Sequence, residues 1–458
     1  MIESDAFKLL LINLFHLNPD DIANIFCTTF NKMMVLLVTL ADKHQACPYC
    51  GFTAPKIKEY VTKEITHSAL TTQKCIIKYR ARRYKCPCCG KTYYEFNPFV
   101  FKSQKISILT VHNILKDLKD FNETFTSVAR RYHVSPTSVS TIFDNHVDIG
   151  RNPLPEIINF DEVYAFKSEK SKYVCVLLDF KKQIPVDVLP NRKKEYLLNY
   201  FQKIPLEERK KVKYACSDMY EVYRDVVHKV FPCSCMLLDY FHLSQDFHRK
   251  MNEVRIKVMK GYKDNKASDE YYLLKKFNWL LFKNPEDEDK HGRLFDVERE
   301  RKYNSHFKSY MNYYDLRRKL LEINNDLTIC YSLKLELVDF YSKSTIDNAQ
   351  VNLEHLIRSC IDTNIEEMIA FSNNLINWKQ EIINSFTIVG TEYKVEADKG
   401  QVVVCNKKVN NAIIENRNKI IKCIKNNANG YTNWSRFRNR VMYVLDPNAT
   451  FSLEPREK

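Results

Sequence analysis

Two C-x-x-C pairs near the N-terminus constrain the fold of this chain more than any other feature. ACPYCGF contains Cys47 and Cys50, and KCPCCGK contains Cys86 and Cys89. Each pair can direct two thiolates at one tetrahedral Zn²⁺, and the glycine that follows each pair permits a tight turn. We therefore predict that residues 46–95 form a zinc-binding module around a structural Zn²⁺. One alternative stays open, because Cys88 could replace Cys89 as a ligand.

The size and charge of the chain indicate several domains and a polyanionic partner. The 458 residues include 71 Lys and Arg against 56 Asp and Glu, a net charge of +15. This excess favours nucleic acid as a partner, although composition alone does not separate nucleic acid from an anionic membrane surface. No apolar run approaches the roughly 20 residues that span a bilayer, and the N-terminus does not resemble a signal peptide. We expect a soluble cytoplasmic protein with reduced thiols and no membrane partner.

A basic strand is predicted between the two cysteine pairs. KCIIKYRARRYKC alternates apolar and basic residues, so one face should point inward while Lys78, Arg80 and Arg82 point outward. Such a ribbon can lie along a phosphate backbone. The alternative is a solvated face of a small zinc fold.

Residues 96–150 are predicted to form a DNA-binding helix-turn-helix. In TFTSVARRYHVSPTSVSTIFDNH, apolar residues recur at helical spacing, and Ser135 with Pro136 provides an N-cap and a first helical position for a second helix. The side chains predicted to face DNA are Arg130, Arg131, Thr137 and Ser138. They would lie as in a helix-turn-helix that enters the major groove. An ordinary helical hairpin would show the same periodicity.

From residue 151 the pattern changes to short strands and helices. Three strands, a helix, a strand, a helix and a fifth strand follow in the order of a ribonuclease-H-like fold, which we assign to residues 151–248. Asp161 on the first strand and Asp218 at the end of the fourth would then converge. Two adjacent carboxylates repel unless a divalent cation lies between them, so the pair predicts a Mg²⁺ or Mn²⁺ site that needs a third carboxylate. Each aspartate alone is as consistent with a turn or a helix cap.

The remaining segments complete a multidomain α+β chain. Residues 1–45 form an N-terminal segment, and residues 249–400 have the periodicity of a helical insertion that interrupts the catalytic domain. This insertion could hold DNA, pair protomers or only bridge the two halves. Residues 401–458 return to the catalytic domain and end in a basic and aromatic tail.

Several motifs together resemble the bacterial insertion-sequence transposases of the ISL-three type, which belong to the DDE class. They are the paired C-x-x-C motifs, SVARRYHVSPTSV, NFDEVYAFK and, most specifically, NNAIIENRNKIIKCIKNNANGYTNWSRFRNRV. The resemblance implies that Glu415 is the third catalytic carboxylate and shares Mg²⁺ with Asp161 and Asp218. It also implies that Asp239 and His242, in LLDYFHLSQ, are site neighbours. The chain departs from the family at Asn416, where the family commonly has glycine, and at the additional Cys88.

The residues around Glu415 allow a second interpretation. Ile413, Ile420 and Ile424 predict a buried stripe on this helix, with Ile414 and Ile421 beside it, so that Arg417 and Lys419 can face DNA. A solvated ion pair between Glu415 and Lys419 would be the structural alternative. Downstream, Tyr431, Trp434 and Phe437 could stack on DNA bases while Arg438 and Arg440 bind phosphates, or the aromatic residues could form a core-facing helix.

The function implied by the resemblance is DNA transposition. We expect a transposase that binds the terminal inverted repeats of its element and target double-stranded DNA, and that cleaves and joins strands with Mg²⁺. The protein would act as a homo-oligomer, at least a dimer on DNA, in the bacterial cytoplasm near the nucleoid. The alternatives are a decayed transposase or DNA-binding regulator without cleavage activity, and a structure-selective nuclease of the same fold.

Overall fold

The structure is a computed structural model that describes residues 2–43, 45–68, 72–101, 104–166, 172–395 and 402–456. It shows a mixed α+β protein with helical and sheet regions that alternate along the chain. None of the helices in these ranges is long and apolar enough to cross a membrane.

The N-terminal region is a five-stranded sheet covered by one helix. Its elements are α1 (Ile2–Leu14), β1 (Ile22–Phe30), β2 (Met33–Leu40), β3 (Lys56–Thr66), β4 (Cys75–Lys85) and β5 (Thr92–Tyr94). The strand order is β1-β2-β4-β3, and β5 pairs with β4. Phe15, which follows α1, packs with Leu36 and Ile77 in the core of this region. The sheet therefore joins residues assigned to an N-terminal segment with the strands of the zinc-binding module.

Three helices follow, at the positions predicted for the helix-turn-helix and just before them: α2 (Ile108–Asp117), α3 (Phe125–Arg131) and α4 (Pro136–His146). Thr124 caps α3 through a reciprocal pair of hydrogen bonds with Ser127. Ser135 caps α4 by accepting a hydrogen bond from the Ser138 amide, with Pro136 in the first turn. These caps satisfy amides that have no partner within the helix, which explains where both helices begin.

The central sheet contains the five strands predicted for the catalytic region. Its elements are β6 (Ile157–Val163), β7 (Val174–Asp179), β8 (Pro185–Leu189), α5 (Lys194–Gln202), α6 (Leu206–Arg209), β9 (Tyr214–Ser217), α7 (Glu221–Val230) and β10 (Cys235–Leu238). The strand order is β10-β9-β6-β7-β8. β10, β9 and β6 run parallel, whereas β7 and β8 are antiparallel to their neighbours. Only the short α6 was not predicted.

The insertion is mainly helical, as predicted, but it also contains hairpins. Its helices are α8 (Tyr240–Lys260), α9 (Asp269–Lys276), α10 (Tyr313–Glu322), α11 (Asn325–Lys343), α12 (Ala349–Asp362), α13 (Glu366–Asn377) and α14 (Lys379–Asn384). Its strands are β11 (Glu288–Asp289), β12 (Gly292–Arg293), β13 (Lys302–Asn304), β14 (Ser309–Met311), β15 (Ile388–Val395) and β16 (Val402–Lys408), which pair in sequence as three antiparallel hairpins. We did not predict these hairpins. The large apolar core of the insertion begins at Leu238 and Leu243, beside the end of β10.

The chain then returns to the central sheet through α15 (Ala412–Asn427) and α16 (Trp434–Leu445). Ile414, Ile421 and Phe437 pack with Val176 on one face of the sheet. Tyr443 of α16 packs in the core of α2, α3 and α4. The C-terminal helices therefore lie between the central sheet and the predicted helix-turn-helix.

Candidate functional site

The four predicted zinc ligands come together in the N-terminal region. The Sγ atoms of Cys47 and Cys89 lie 3.7 Å apart, and those of Cys50 and Cys86 lie 3.5 Å apart. The four Sγ atoms all lie within 4.8 Å of one another. A tetrahedral zinc site with Zn–S bonds of about 2.3 Å needs sulfur atoms about 3.8 Å apart. The donor set therefore fits a structural Zn²⁺.

The two cysteine turns have matching backbone geometry. The Gly51 amide donates to the Cys47 carbonyl at 2.9 Å, and the Gly90 amide donates to the Cys86 carbonyl at the same distance. Both glycines have positive φ, 75° and 71°, a conformation that side chains disfavour. Cys88 is exposed and lies outside the sulfur cluster, so the geometry selects Cys89 as the ligand.

The central sheet aligns Asp161 and Asp218. β6 and β9 are parallel, and Asn159 pairs with Cys216 at the end of their shared register. When this register continues by two residues, Asp161 and Asp218 fall on the same row. Neighbouring strands lie about 4.8 Å apart, so the two aspartates are direct neighbours across these strands. The sequence-based expectation that these two aspartates converge is consistent with this arrangement.

A third aspartate continues the row. β10 is parallel to β9 and pairs Leu238 with Ser217, so the next residue, Asp239, lies beside Asp218. The Asp239 amide donates to the Ser217 carbonyl at 3.1 Å, which extends the ladder by one bond. Asp239 is also the residue before α8, and His242 lies one turn into that helix. Asp161 within β6 and the residues that follow β9 and β10, Asp218 and Asp239, thus occupy neighbouring positions on three parallel strands.

Helix α15 places Glu415 over this row. Asn159 Nδ2 donates to Asn411 Oδ1 at 2.7 Å, and Asn418 Nδ2 donates to Asp161 Oδ2 at 2.8 Å. Asn411 and Asn418 flank Glu415 on the same helix face, four residues before it and three after it, so the two bonds fix the helix on both sides of the glutamate. Ligand atoms of Glu415, Asp239 and His242 lie within 4.8 Å of one another, close enough to share one metal ion.

Several buried polar atoms of the site have no hydrogen-bond partner among the residues that the structure describes. They are Asp218 Oδ1, Asp239 Oδ2 and His242 Nε2. Buried polar groups are normally paired, because an unpaired one costs about 1–3 kcal/mol. Oxygen and imidazole ligands that converge with free lone pairs suit Mg²⁺ or Mn²⁺. The residues present therefore fit a divalent cation.

The raised pKa values of the three aspartates agree with a cation site. Burial raises the pKa of Asp161 to about 6, and the charge of Asp218 adds to this effect. Burial also raises the pKa of Asp218 to about 6, while His242 opposes the rise. The pKa of Asp239 is raised by burial as well. A group of buried acids that repel one another binds protons more readily unless a cation neutralises them.

Glu162, adjacent to Asp161, belongs to the other face of the sheet. Its side chain forms an ion pair with Arg192. The Arg192 guanidinium lies 4.7 Å above the Tyr173 ring and 4.9 Å above the Tyr220 ring, which fixes the position of the pair. Glu162 nevertheless influences the site, because its charge contributes to the raised pKa values of Asp161 and Asp218.

The structure corrects part of the predicted DNA-binding set. Arg82 was expected to point outward, but its side chain is only 15% exposed and pairs with Glu95 at 2.8 Å. Arg440 is 1% exposed and donates to the carbonyls of Asp120 and Glu123. Both guanidiniums bind groups of the protein itself. The prediction failed because the alternation of apolar and basic residues does not show which face of an element is covered by other parts of the chain.

Two further arginines of this set are also held internally. Arg438 donates to Asp187 at 2.6–2.7 Å and is 19% exposed. Arg131 forms ion pairs with Asp117 and Glu123 but keeps 38% of its side chain exposed.

Other residues of the set lie at the surface. Arg80, Arg130, Thr137 and Lys419 are exposed, whereas Ser138 and Arg417 are half-buried. Lys78, 34% exposed, pairs with Glu64 across two strands at 2.7 Å. These side chains remain accessible to a ligand, and DNA contact by them stays a prediction.

The aromatic residues near the C-terminus belong to a core. Phe437 is fully buried, and Tyr431 and Trp434 pack against it. Trp434 lies edge-on to Phe166, with 5.1 Å between the ring centroids. Of the two interpretations offered for this segment, the structure supports the core-facing helix.

Sequence analysis missed the asparagines that hold α15. Asn411 and Asn418 share a helix face with Ile414 and Ile421, and all four are buried. The buried stripe therefore lies one residue further along than the predicted Ile413 and Ile420, although Ile424 is buried as expected. Polar residues at helical spacing within an apolar stripe were the available signal for a buried hydrogen-bond network.

Comparison with known proteins identifies the family. A family model for transposases of the DDE group and the ISL3 (ISL-three) type matches residues 158–402, which is more than half of the chain. The matched range includes Asp161, Asp218, Asp239 and His242 but not Glu415. The chain is also 19% identical over 409 residues to the transposase for insertion sequence element IS1001 of Bordetella parapertussis, covering 89% of this chain and 90% of that protein. This chain belongs to the family of ISL3-type transposases.

Proposed function

We propose that this protein is a DNA transposase that cleaves and joins the strands at the ends of its insertion sequence. The observation that carries the proposal is the row of Asp161, Asp218 and Asp239 on three neighbouring parallel strands, with Glu415 of α15 within 4.8 Å of Asp239 and His242. A protein that only binds DNA gains nothing from buried carboxylates with unpaired oxygens, because they repel phosphate.

In this proposal the central sheet and the helices that pack on it form a ribonuclease-H-like catalytic domain. Asp161, Asp218 and Glu415 would hold Mg²⁺ or Mn²⁺. Asp239 and His242, whose ligand atoms lie within 4.8 Å of each other and of a Glu415 oxygen, would add ligands beside Glu415. A bound divalent cation supplies Lewis-acid stabilisation of the charge that develops on the phosphodiester. Asn418 orients the Asp161 carboxylate through its hydrogen bond, and the backbone amide of Glu162 donates to the second oxygen of Asp161 at 2.7 Å.

Recognition is assigned to the N-terminal regions. The zinc-binding module and the helix-turn-helix would bind the terminal inverted repeats, with Arg80 and Arg130 among the exposed cations that contact phosphate. The net charge of +15 favours this polyanionic partner. At least two protomers would act together on double-stranded DNA.

The test uses end-labelled DNA that contains the sequences flanking this gene, incubated with the purified protein and Mg²⁺ or Mn²⁺. Nicking at one defined position by the wild type, and none by Asp161→Ala, supports the proposal. The Asp179→Asn variant serves as a matched control, since Asp179 is also a buried aspartate at a strand end but accepts hydrogen bonds from the amides of its own turn, at Lys181 and Lys182.

Two results would point elsewhere. Specific binding of the DNA ends without nicking in either metal would indicate a decayed transposase or a DNA-binding regulator. Cleavage at branched or single-stranded junctions regardless of sequence would indicate a structure-selective nuclease.

A further inference from the structure

A small hairpin in the insertion exposes two tyrosines. β13 and β14 pair Tyr303 with Tyr310 across the strands, and their ring centroids lie 5.4 Å apart. Tyr303 is 57% exposed and Tyr310 is 68% exposed. Tyrosine rings normally contribute apolar area to a core or an interface. This pair is exposed and belongs to none of the cores formed by the described residues, whereas the aromatic residues near the C-terminus are buried.

Three lysines lie in or beside the hairpin. Lys302 lies on β13 and Lys308 in the hairpin turn, and both are exposed. Lys290 lines the adjoining cavity. Across the residues that the structure describes, none of these three lysines forms an ion pair, whereas nearby Arg301 is paired with Asp315 at 3.0 Å. Their positive charge is therefore available to an anionic ligand.

A cavity of about 460 Å³ adjoins the hairpin. Tyr272, Lys276, Lys302, Tyr303 and Tyr313 are among the residues that line it. Binding pockets for small organic ligands are typically ~300–1,000 Å³, so the cavity is large enough for a nucleotide. The cavity thus combines aromatic faces with ammonium groups, and of the two acids that also line it, Asp289 and Glu300, the first is paired with Arg299.

The hairpin is held in place before any ligand arrives. Asn312, 3% exposed, donates hydrogen bonds to the carbonyls of Val297 and Arg299, both at 3.1 Å. The same side chain caps α10. Tyr272 stacks on His306 in the hairpin turn, with 3.9 Å between the ring centroids. A platform fixed in this way loses little conformational entropy when it binds.

We propose that the hairpin of β13 and β14, together with this cavity, binds unpaired nucleotides of single-stranded DNA. Bases stack on Tyr303 and Tyr310, and Lys302 and Lys308 bind the phosphates. Bases in a duplex are already stacked on each other, so the exposed rings have no base face to contact until a strand is unpaired. This inference rests on the proposed function, because strand cleavage at an element end is what would supply such a segment.

The experiment compares two DNA duplexes carrying the element end, one blunt and one with a short single-stranded thymidine tail, by fluorescence anisotropy with the full-length protein. The wild type is expected to bind the tailed duplex about tenfold more tightly, as stacking of one or two bases implies. The double variant Tyr303→Ala/Tyr310→Ala should lose this gain while its affinity for the blunt duplex stays unchanged. The double variant Tyr303→Phe/Tyr310→Phe keeps both rings and should retain the gain.

Several outcomes would overturn the inference. They are equal affinity of the wild type for both duplexes, or a gain that survives in the alanine double variant. Displacement of the tail by a polyglutamate peptide as efficiently as by a thymidine oligonucleotide would show that the site responds to negative charge and not to bases. Failure of the wild type to bind either duplex would contradict the proposed function itself, and is thereby distinguished from failure at the hairpin.

Discussion

Among the residues that the structure describes, two clusters of side chains could hold a metal ion, and they differ in how their ligand atoms are arranged. In the zinc-binding module four thiolates face one point, which fills a tetrahedral coordination sphere. At the end of the central sheet, carboxylates and an imidazole converge with unpaired atoms, as at Asp218 Oδ1 and His242 Nε2. The first arrangement is closed and suits a structural ion. The second leaves room for a substrate.

The two clusters also differ in how they are assembled. Cys47 and Cys89 are 42 residues apart, and both follow or precede strands of one sheet. Asp161 and Asn418 are 257 residues apart. The zinc site depends on short-range structure, whereas the carboxylate site depends on correct packing of the insertion and of α15. Substitutions should therefore affect stability at the first cluster and reaction rate at the second.

The largest effect is expected at the zinc cluster. Cys86→Ser removes one of four thiolates and should abolish zinc binding, whose apparent free energy in zinc-finger peptides is about 10–16 kcal/mol. The N-terminal region should unfold at a lower temperature, and DNA affinity should fall with it. Zinc content by mass spectrometry and thermal unfolding measure both effects.

The neighbouring Cys88→Ser variant provides the control. Cys88 is exposed and outside the sulfur cluster, so this variant should keep one zinc per chain and the unfolding temperature of the wild type. Zinc loss in Cys88→Ser but not in Cys86→Ser would contradict the assigned ligand set.

The second effect is on strand cleavage. Asp218→Asn keeps the shape of the side chain but removes a charge that binds the cation, so the cleavage rate should fall roughly 10³-fold, equivalent to several kcal/mol of transition-state stabilisation. The fold should persist, because an amide removes the repulsion among buried acids. Single-turnover cleavage and thermal unfolding, measured side by side, test this separation. A variant that cleaves at the wild-type rate would exclude Asp218 from the reaction.

A smaller effect is expected from Asn418→Ala. This change removes the hydrogen bond to Asp161 and loosens α15, so the cleavage rate or the metal affinity should fall about 10–100-fold. The effect should be partly rescued by a higher Mn²⁺ concentration, which would mark a positioning role. Asn416→Ala, exposed on the same helix, is the matched control and should behave as the wild type.

The smallest effect concerns pH. The folded-state pKa values of Asp161 and Asp218, about 6, lie above the usual value for aspartate, so the metal-free protein gains stability from these groups at low pH and loses it as pH rises through 6. A cation must displace the protons, and Mg²⁺ affinity should therefore drop about tenfold between pH 7.5 and pH 5.5. Titration calorimetry at both pH values measures this change. Affinity that is independent of pH would mean that these aspartates are not ligands.

The sequence predicted the local features of both clusters. The C-x-x-C spacing and the following glycines were enough to select Cys47, Cys50, Cys86 and Cys89, except for the choice between Cys88 and Cys89. The strands of the central sheet were predicted because their apolar runs are short and bounded by turn residues. Asp161 and Asp218 could be paired because the first lies on the first predicted strand and the second ends the fourth, and these strands are neighbours in the predicted fold.

The remaining features depend on long-range packing. Glu415 was selected through family resemblance, since its spacing to Lys419 equally suggests a surface ion pair. Arg82 and Arg440 were misassigned because burial by distant elements leaves no local signal. The hairpin of β13 and β14 was missed because its strands are three residues long and mostly polar.

The distance along the chain between Asp161 and α15 has a consequence for protein synthesis. The zinc-binding module, the predicted helix-turn-helix and the aspartate row all leave the ribosome before Glu415 is made. At about 5–20 residues per second, the delay is on the order of ten seconds or more. A nascent chain with the proposed function would therefore occupy DNA before it can cut it. A fragment that stops before α15 would act as a competitor of the complete protein at the element ends.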